Sequence, residues 1–344
     1  MTLLDRALVQ MLPAVPRPVV QRLSSRYIAG PELDDAVRVV EELNERGRMA
    51  TIDVLGEEVT TPEEALLLVD EYRRVFDAIR DVGLDSNVSV KPTGLGLSID
   101  RDLARENIAE IVRCAAERES FVRIDMEDAT TTSDTLEVYR ELRGQGLDRV
   151  GVVLQARLRR TLDDVEALAD LRPNVRLCKG IYLEPPDIAY EDFDEIRSSF
   201  VAALRSLLDA GCYVAVATHD DWLVDRALEL LEERGLGPDG YEFQMLLGVR
   251  EELGDALVSD GHRLRIYVPY GRRWYEYSMR RLQENPRIAT YVALDTMNRL
   301  IPGKRSVPAL GLSAAAVVRC QARDNGPARR GRAGPGRFGQ ARIA

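Results

Sequence analysis

From residue 48 onward the hydrophobic pattern switches repeatedly between two periods. Short runs rich in β-branched residues, RMATIDVLG, SNVSVKPT, FVRIDME, VGVVLQA, VRLCKGIY, CYVAVATH, YEFQML and RLRIYVP, are each followed by a stretch whose apolar residues recur every three or four positions. The helical stretches carry their own punctuation. Thr61 stands before Pro62 and Asp100 before RDLAREN, both good N-caps, and the stretch HDDWLVDRALELLEERG stops at Gly235. Eight strand patterns alternating with eight helical ones over roughly 220 residues predict an α/β fold, a (β/α)8 TIM barrel spanning 48–303. A doubly wound open sheet is the alternative, and it calls for a glycine-rich phosphate loop after the first strand. The segment DVLGEEVTTPEEA has no G-x-G-x-x-G.

The flanks read differently. Residues 1–47 carry short helical patterns, the clearest being PELDDAVRVVEELNERG with its glycine stop, and form an expected N-terminal helical arm. In 304–344 Lys304 and eight arginines face a single acid, Asp324, among many glycines and prolines, and no apolar period persists beyond AAAVV. This is the composition of a disordered basic tail.

Composition narrows the function. No apolar run reaches the length of a membrane span, and the one apolar stretch at the N-terminus contains Asp5 and Arg6 and leads into Pro13, Pro16 and Pro18, so neither a signal peptide nor an anchor is expected. Four scattered cysteines without C-x-x-C spacing suit a reducing, cytoplasmic compartment and disfavour zinc or a disulfide framework. With two histidines a His-rich metal site is not expected. The whole chain has a net charge of −10, and since the tail carries +8 the rest carries −18, too acidic for a nucleic-acid surface. Of 47 basic residues only Lys91, Lys179 and Lys304 are lysines, which draws attention to the two that end strand patterns.

In a barrel of this kind chemistry sits where the strands end. The second strand ends with Lys91, the third with Asp125, Glu127 and Asp128, and the fourth with Gln155 and Arg157. The fifth carries Arg176, Lys179 and Tyr182, the sixth Thr218 and His219, the seventh Glu242 and Gln244, and the eighth Tyr267 and Tyr270. Singly, each has a structural explanation, such as an N-cap or a satisfied core histidine. Together they predict a polar pocket, because buried charges need partners and a structural core does not ask for this many. The last helical stretch, YEYSMRRLQENP, places Tyr277, Arg280, Arg281 and Glu284 on one face. That face can hold a small anion, or it can be an exposed face laced by the i,i+4 pair of Arg280 with Glu284. The lysines leave a Schiff-base aldolase open, and a non-enzymatic binding protein is a further alternative.

The ordered set DVLGE, SVKPT, RIDMED, LQARLRRTLDD, VRLCKGIYLEP, VAVATHD, YEFQMLLG and RIYVPYG with WYEYSMRRLQEN resembles the proline dehydrogenases, the flavin-dependent enzymes of proline catabolism, from about residue 50 to 300. Ile181 and Leu183 depart from the small or aromatic residues common at their positions, and the tail has no counterpart. The resemblance implies a distorted barrel of monofunctional bacterial type whose eighth helix lies over the strand ends. It implies that Arg280 and Arg281 clamp the carboxylate of L-proline with Lys91 beside them, that Tyr182, Tyr267, Tyr277 and Leu177 wall the pyrrolidine ring, and that Asp125 orients the polar set. Glu57 would pair with an arginine of the eighth helix to close the site, and Glu284 would support the arginines. FAD is the implied cofactor, with Arg176 near its reactive nitrogen, Gln155 and Lys179 on the ring or its chain, and Thr218, His219 and Glu242 toward the ribityl and adenine side. A quinone acceptor and a peripheral contact with the membrane are implied as well.

Overall fold

The computed structural model describes Val20 and residues 26–56, 59–275, 277 and 278. Each of the eight β-rich runs forms a strand: β1 Met49–Val54, β2 Ser86–Val90, β3 Val122–Ile124, β4 Val150–Gln155, β5 Asn174–Cys178, β6 Tyr213–Ala217, β7 Tyr241–Leu246 and β8 Leu264–Tyr270. They pair in parallel in chain order, and β1 closes on β8 in a register running from Met49 opposite Arg265 to Val54 opposite Tyr270. A parallel neighbour can be reached only by a crossover, and the helical stretches supply it. The helices are α1 Leu33–Glu45, α2 Pro62–Val82, α3 Arg101–Glu117, α4 Thr132–Gly144, α5 Thr161–Leu168, α6 Phe193–Asp209, α7 Asp221–Glu233 and α8 Glu251–Ser259.

The expected punctuation is where the pattern placed it. The Thr61 side chain accepts a hydrogen bond from the Glu64 N–H at 3.3 Å, with Pro62 in the first turn of α2, and Gly83 ends that helix at φ +78°, a left-handed conformation that favours glycine. Asp100 accepts from the Leu103 N–H at 2.8 Å to start α3. After β8, Trp274, Tyr275, Tyr277 and Ser278 are helical, and the rest of the expected eighth helix lies outside the described residues.

α1 belongs to the barrel's ring of helices although it precedes the first strand. It packs against both β1 and β8, and Ala36, Val40 and Leu43 are buried in the same apolar core as the strands. The chain leading into it is tied to the end of β8, the Ala29 N–H bonding the Pro269 carbonyl at 2.9 Å and the Gly271 N–H the Gly30 carbonyl at 3.0 Å. A helix following β8 would ordinarily fill the slot between β8 and β1. With α1 in that slot, the chain after β8 goes elsewhere: Tyr277 is buried against Leu55, just past the end of β1, and Ile28. This is the physical origin of the distortion.

Strand alternation separates two environments. Outward-facing residues such as Ile52, Val88, Ile124, Val175 and Val216 meet the helices in a continuous apolar layer. The inward-facing residues are largely polar yet buried: Thr51, Asp53, Ser89, Arg123, Asp125, Gln155, Arg176, Glu242, Gln244 and Arg265. Arg176 of β5 bonds Ser89 of β2, Asp125 of β3 and Gln244 of β7, strands that are not its neighbours, so these bonds cross the barrel interior. Such groups are tolerable only because they satisfy one another.

Candidate active site

The floor of the barrel is an ion-paired layer. Arg265 donates from Nε to the Glu242 carboxylate at 2.9 Å and from Nη1 to the Ala50 carbonyl at 2.7 Å. Arg123, 1% exposed, bonds the Val152 and Asn174 carbonyls at 2.9 and 2.6 Å. Burial, reinforced by the neighbouring Arg176 charge, pulls the Arg123 guanidinium down to about 9. Gln244 links this layer to the next, donating to Glu242 and accepting from Arg176 Nε, each at 2.5 Å.

Above it, at the strand ends, a second network spans β1, β2, β3, β5 and β8. Lys91 Nζ donates to Asp53 Oδ2 at 2.7 Å and to the Tyr267 hydroxyl at 3.0 Å, and lies 3.8 Å from Asp125 Oδ2. The Tyr267 hydroxyl donates to Asp125 Oδ2 at 2.9 Å, and Arg176 Nη1 holds Asp125 Oδ1 at 2.5 Å. Two cations approach the Tyr267 ring, Lys91 at 5.7 Å and Arg176 at 5.3 Å from its centroid. Burial, with Asp125 adding to it, pushes the Tyr267 hydroxyl well above its ordinary range, so it stays a phenol that both donates and accepts. Tyr277, in the chain after β8, adds to that upward shift.

The rim over β5 and β6 is organised by Asp220. It accepts from Lys179 Nζ at 2.5 Å and from Arg197 Nη2 at 2.7 Å, and it caps α7 through the Trp222 N–H at 3.2 Å. Burial opposes ionisation there, and the hydrogen bonds from Arg197 and Lys179 overcome it, holding the carboxyl at about 2. The Thr218 hydroxyl accepts the Asp220 N–H at 3.2 Å. His219 accepts the Leu246 N–H on Nε2 at 2.9 Å, so its ring proton is on Nδ1, and burial with the nearby Arg250 and Lys179 charges lowers it to about 4. Gln155 donates to the Glu127 carbonyl at 2.8 Å, while the Glu127 carboxylate is spent on the Thr93 N–H and hydroxyl and fastens the β2 loop to the β3 loop.

The structure therefore brings Lys91, Asp125, Arg176 and Tyr267 into one network, with Gln155, Lys179, Thr218 and His219 along the adjoining rim and Tyr182 half-buried on the loop after β5. Two residues of the expected set lie elsewhere. Leu177 is fully buried in the apolar layer, because alternation turns it away from the interior that its neighbour Arg176 faces. Glu242 is the second residue of β7, near the start of the strand, and is committed to Arg265 in the floor layer instead of reaching the rim. Glu57, Arg280, Arg281 and Glu284 lie outside the described residues. Among the residues not expected, Asp53 and Asp220 matter most. A lone acid inside the apolar run ATIDVL is a readable signal for Asp53, whereas Asp220 reads from sequence as nothing more than an N-cap.

A closed (β/α)8 barrel with cations, acids and a tyrosine hydrogen-bonded to one another at the C-terminal ends of its strands defines a class, the barrel enzymes with a strand-end active site. The comparisons sharpen this. The family model for proline dehydrogenase matches residues 36–293. The chain is 37% identical to the proline dehydrogenase of Deinococcus radiodurans over 296 residues, 85% of this chain and 94% of that protein. It is 38% identical to proline dehydrogenase 1 of Bacillus subtilis over 267 residues, 78% of this chain and 88% of that one. Among solved structures, proline utilization A of Bdellovibrio bacteriovorus has the same fold with a TM-score of 0.72 at 22% identity, over 88% of this chain and 39% of that much longer one. The chain belongs to the proline dehydrogenase family, and it is an enzyme, an oxidoreductase of proline catabolism.

Proposed function

We propose that the protein oxidises L-proline to 1-pyrroline-5-carboxylate with FAD as the electron acceptor at the site. The observation that carries this is the Lys91, Tyr267, Asp125 and Arg176 network at the strand ends of a chain in this family. The residues present fit the cofactor. Gln155, Arg176 and Lys179 place an amide and two cations on adjoining strands, a donor set suited to an acceptor-rich ring, and Gly180, at φ +93°, leaves open a place where a Cβ would come within 2.9 Å of Gln155 Oε1. Bound FAD supplies the hydride acceptor that no side chain can provide.

The chain's own residues bind, orient and exclude water. Lys91 contributes a point charge to the proline carboxylate, and Arg280 and Arg281 add a bidentate clamp. Tyr267 and Tyr182, with Tyr277 behind, wall the ring and set its C5 face, and Asp125 holds Tyr267 and Arg176 in register. Lys179 is oriented toward the cofactor by Asp220, and His219, neutral with its proton on Nδ1, offers a donor beside it. Glu57 and Glu284 act on the arginine helix, the first as a gate and the second as a support. The catalytic unit is the barrel together with α1, which lies within the expected arm of 1–47 but packs on β1 and β8, and 304–344 is dispensable. A quinone takes the electrons onward at a peripheral membrane contact on the cytoplasmic side; no described helix is long and apolar enough to cross a membrane.

The aldolase reading is disfavoured by the lysines' partners. Lys91 and Lys179 are each in a charge-assisted bond with a carboxylate, at 2.7 and 2.5 Å, and an amine so committed as a donor is poorly placed to attack a carbonyl. Purified protein should be yellow, and denaturation should release all of the FAD. Colourless protein that takes up no added FAD would falsify the cofactor assignment.

A further inference from the structure

The loop from Lys179 to Tyr190 leaves β5, carries Tyr182 and returns to the base of α6, and it closes on one residue of the neighbouring strand. The Arg157 N–H donates to the Lys179 carbonyl at 2.8 Å, the Arg157 carbonyl accepts from the Tyr190 N–H at 2.8 Å, and Arg157 Nη1 donates to the Tyr182 carbonyl at 2.7 Å. Both feet and the first bend of the loop thus meet at Arg157, just past the end of β4. The two feet are held by backbone and do not depend on the side chain. The bend does.

Other ties act farther out. Arg159 bonds the Ile188 carbonyl through its N–H at 2.9 Å and the Pro186 carbonyl through Nε at 3.1 Å, and its guanidinium stacks 4.5 Å from the Tyr190 ring centre. Glu184 accepts the Ala129 N–H at 2.8 Å. Pro185 and Pro186 stiffen this outer limb. Between the Lys179 foot and Glu184 the chain carries Ile181 and Leu183 exposed, Leu183 at 85%, so little packing secures that stretch. Among the described residues Arg157 has no carboxylate partner, and its buried Nε has no hydrogen-bond partner. Among the described residues the guanidinium's side-chain bond goes to the Tyr182 carbonyl and not to a carboxylate.

We infer that Arg157 is a positioning residue for substrate, fixing the backbone at Tyr182 so that its ring stands against the proline site. The inference rests on the reading of Tyr182 as a wall of that site. An arginine bond to the Tyr182 carbonyl constrains where the ring can sit without touching substrate, so its loss weakens capture more than turnover.

The test is a double-mutant cycle on the full-length flavoprotein. Arg157→Gln should keep its FAD and lose about tenfold in kcat/KM for L-proline, mostly through KM. Arg157→Lys, with an ammonium in place of the fork, should recover part of that loss, and Arg159→Gln, on the outer limb, should change KM by less than about twofold. In a Tyr182→Ala background Arg157→Gln should add less than about twofold. A loss that persists undiminished in the Tyr182→Ala background, an equal loss in Arg159→Gln, or no loss in any Arg157 variant overturns the inference. Should Arg157→Gln fail to fold, the cycle is run with Arg157→Lys under the same criteria. A normal KM in Tyr182→Ala alone removes Tyr182 from the proline wall, a failure of the underlying reading that is distinguishable from the others.

Discussion

Replacing Asp53 by asparagine probes the strand-end network where it is most buried. The Asp53 side chain is 0% and the Lys91 side chain 11% exposed, and they are joined at 2.7 Å, so solvent screens the pair little. Breaking a buried ion pair by removing one charge costs about 3–5 kcal/mol. Asparagine still accepts one hydrogen bond and Lys91 keeps the Tyr267 hydroxyl at 3.0 Å, so the expected loss is about 2–4 kcal/mol. For a domain of this size that lowers Tm by roughly 4–16 °C. The consequence for activity follows from Asp125, whose Oδ2 lies 3.8 Å from Lys91. Without Asp53 the ammonium is drawn toward Asp125, where it competes with the Tyr267 hydroxyl and Arg176 for the carboxylate, and kcat/KM for proline should fall with the flavin still bound. Thermal and urea unfolding followed by circular dichroism, alongside steady-state kinetics, reads both effects. Adding Lys91→Met to Asp53→Asn should cost less stability than Lys91→Met alone. A loss below about 1 kcal/mol with unchanged kinetics would mean that the pair behaves like an exposed salt bridge, and the reasoning would be refuted.

His219 is held at about 4 against an ordinary 6.5, so the fold stabilises its neutral form; that contribution, roughly 3 kcal/mol, is complete above pH 6.5 and is lost as pH falls toward 4. His219→Asn should flatten the stability profile across that window, and an unchanged slope would place the titrating group elsewhere. Arg281→Met should retain flavin and lose a factor on the order of 30 to 1,000 in kcat/KM for proline, while pyrrolidine, which lacks the carboxylate, loses much less. Equal losses with both amines would remove this arginine from the carboxylate. Truncation at Gly303 should leave flavin content and proline oxidation nearly unchanged, and flavin loss would move the domain boundary.

The strands were legible because the β-rich runs stand apart from the helical period between them, some crossovers starting at good caps, as at Thr61 and Asp100, and local signals of that kind do not depend on the rest of the chain. The role of α1 was not legible. Its own pattern shows an amphipathic helix but cannot show that its apolar face fills the gap between β8 and β1, which exists only once the barrel has closed. The site was legible as a set of residue types at strand ends, and its wiring was not. Glu242 and Gln244 share a face two residues apart, yet one joins the floor through Arg265 and the other reaches Arg176. Those partners are set by which strands oppose each other across the interior. Leu177 shows the same limit, since a one-residue difference in strand phase decides whether a side chain faces substrate or the helices.

The most direct measurement is the visible spectrum of the purified full-length protein titrated with L-proline without oxygen. If Lys91, Tyr267, Asp125 and Arg176 form a proline-oxidising site against bound FAD, L-proline bleaches the flavin band in the wild type, and Lys91→Met keeps the band and resists bleaching at the same proline concentrations. A flavin that L-proline leaves oxidised in the wild type, or one that Lys91→Met reduces as readily, contradicts the account.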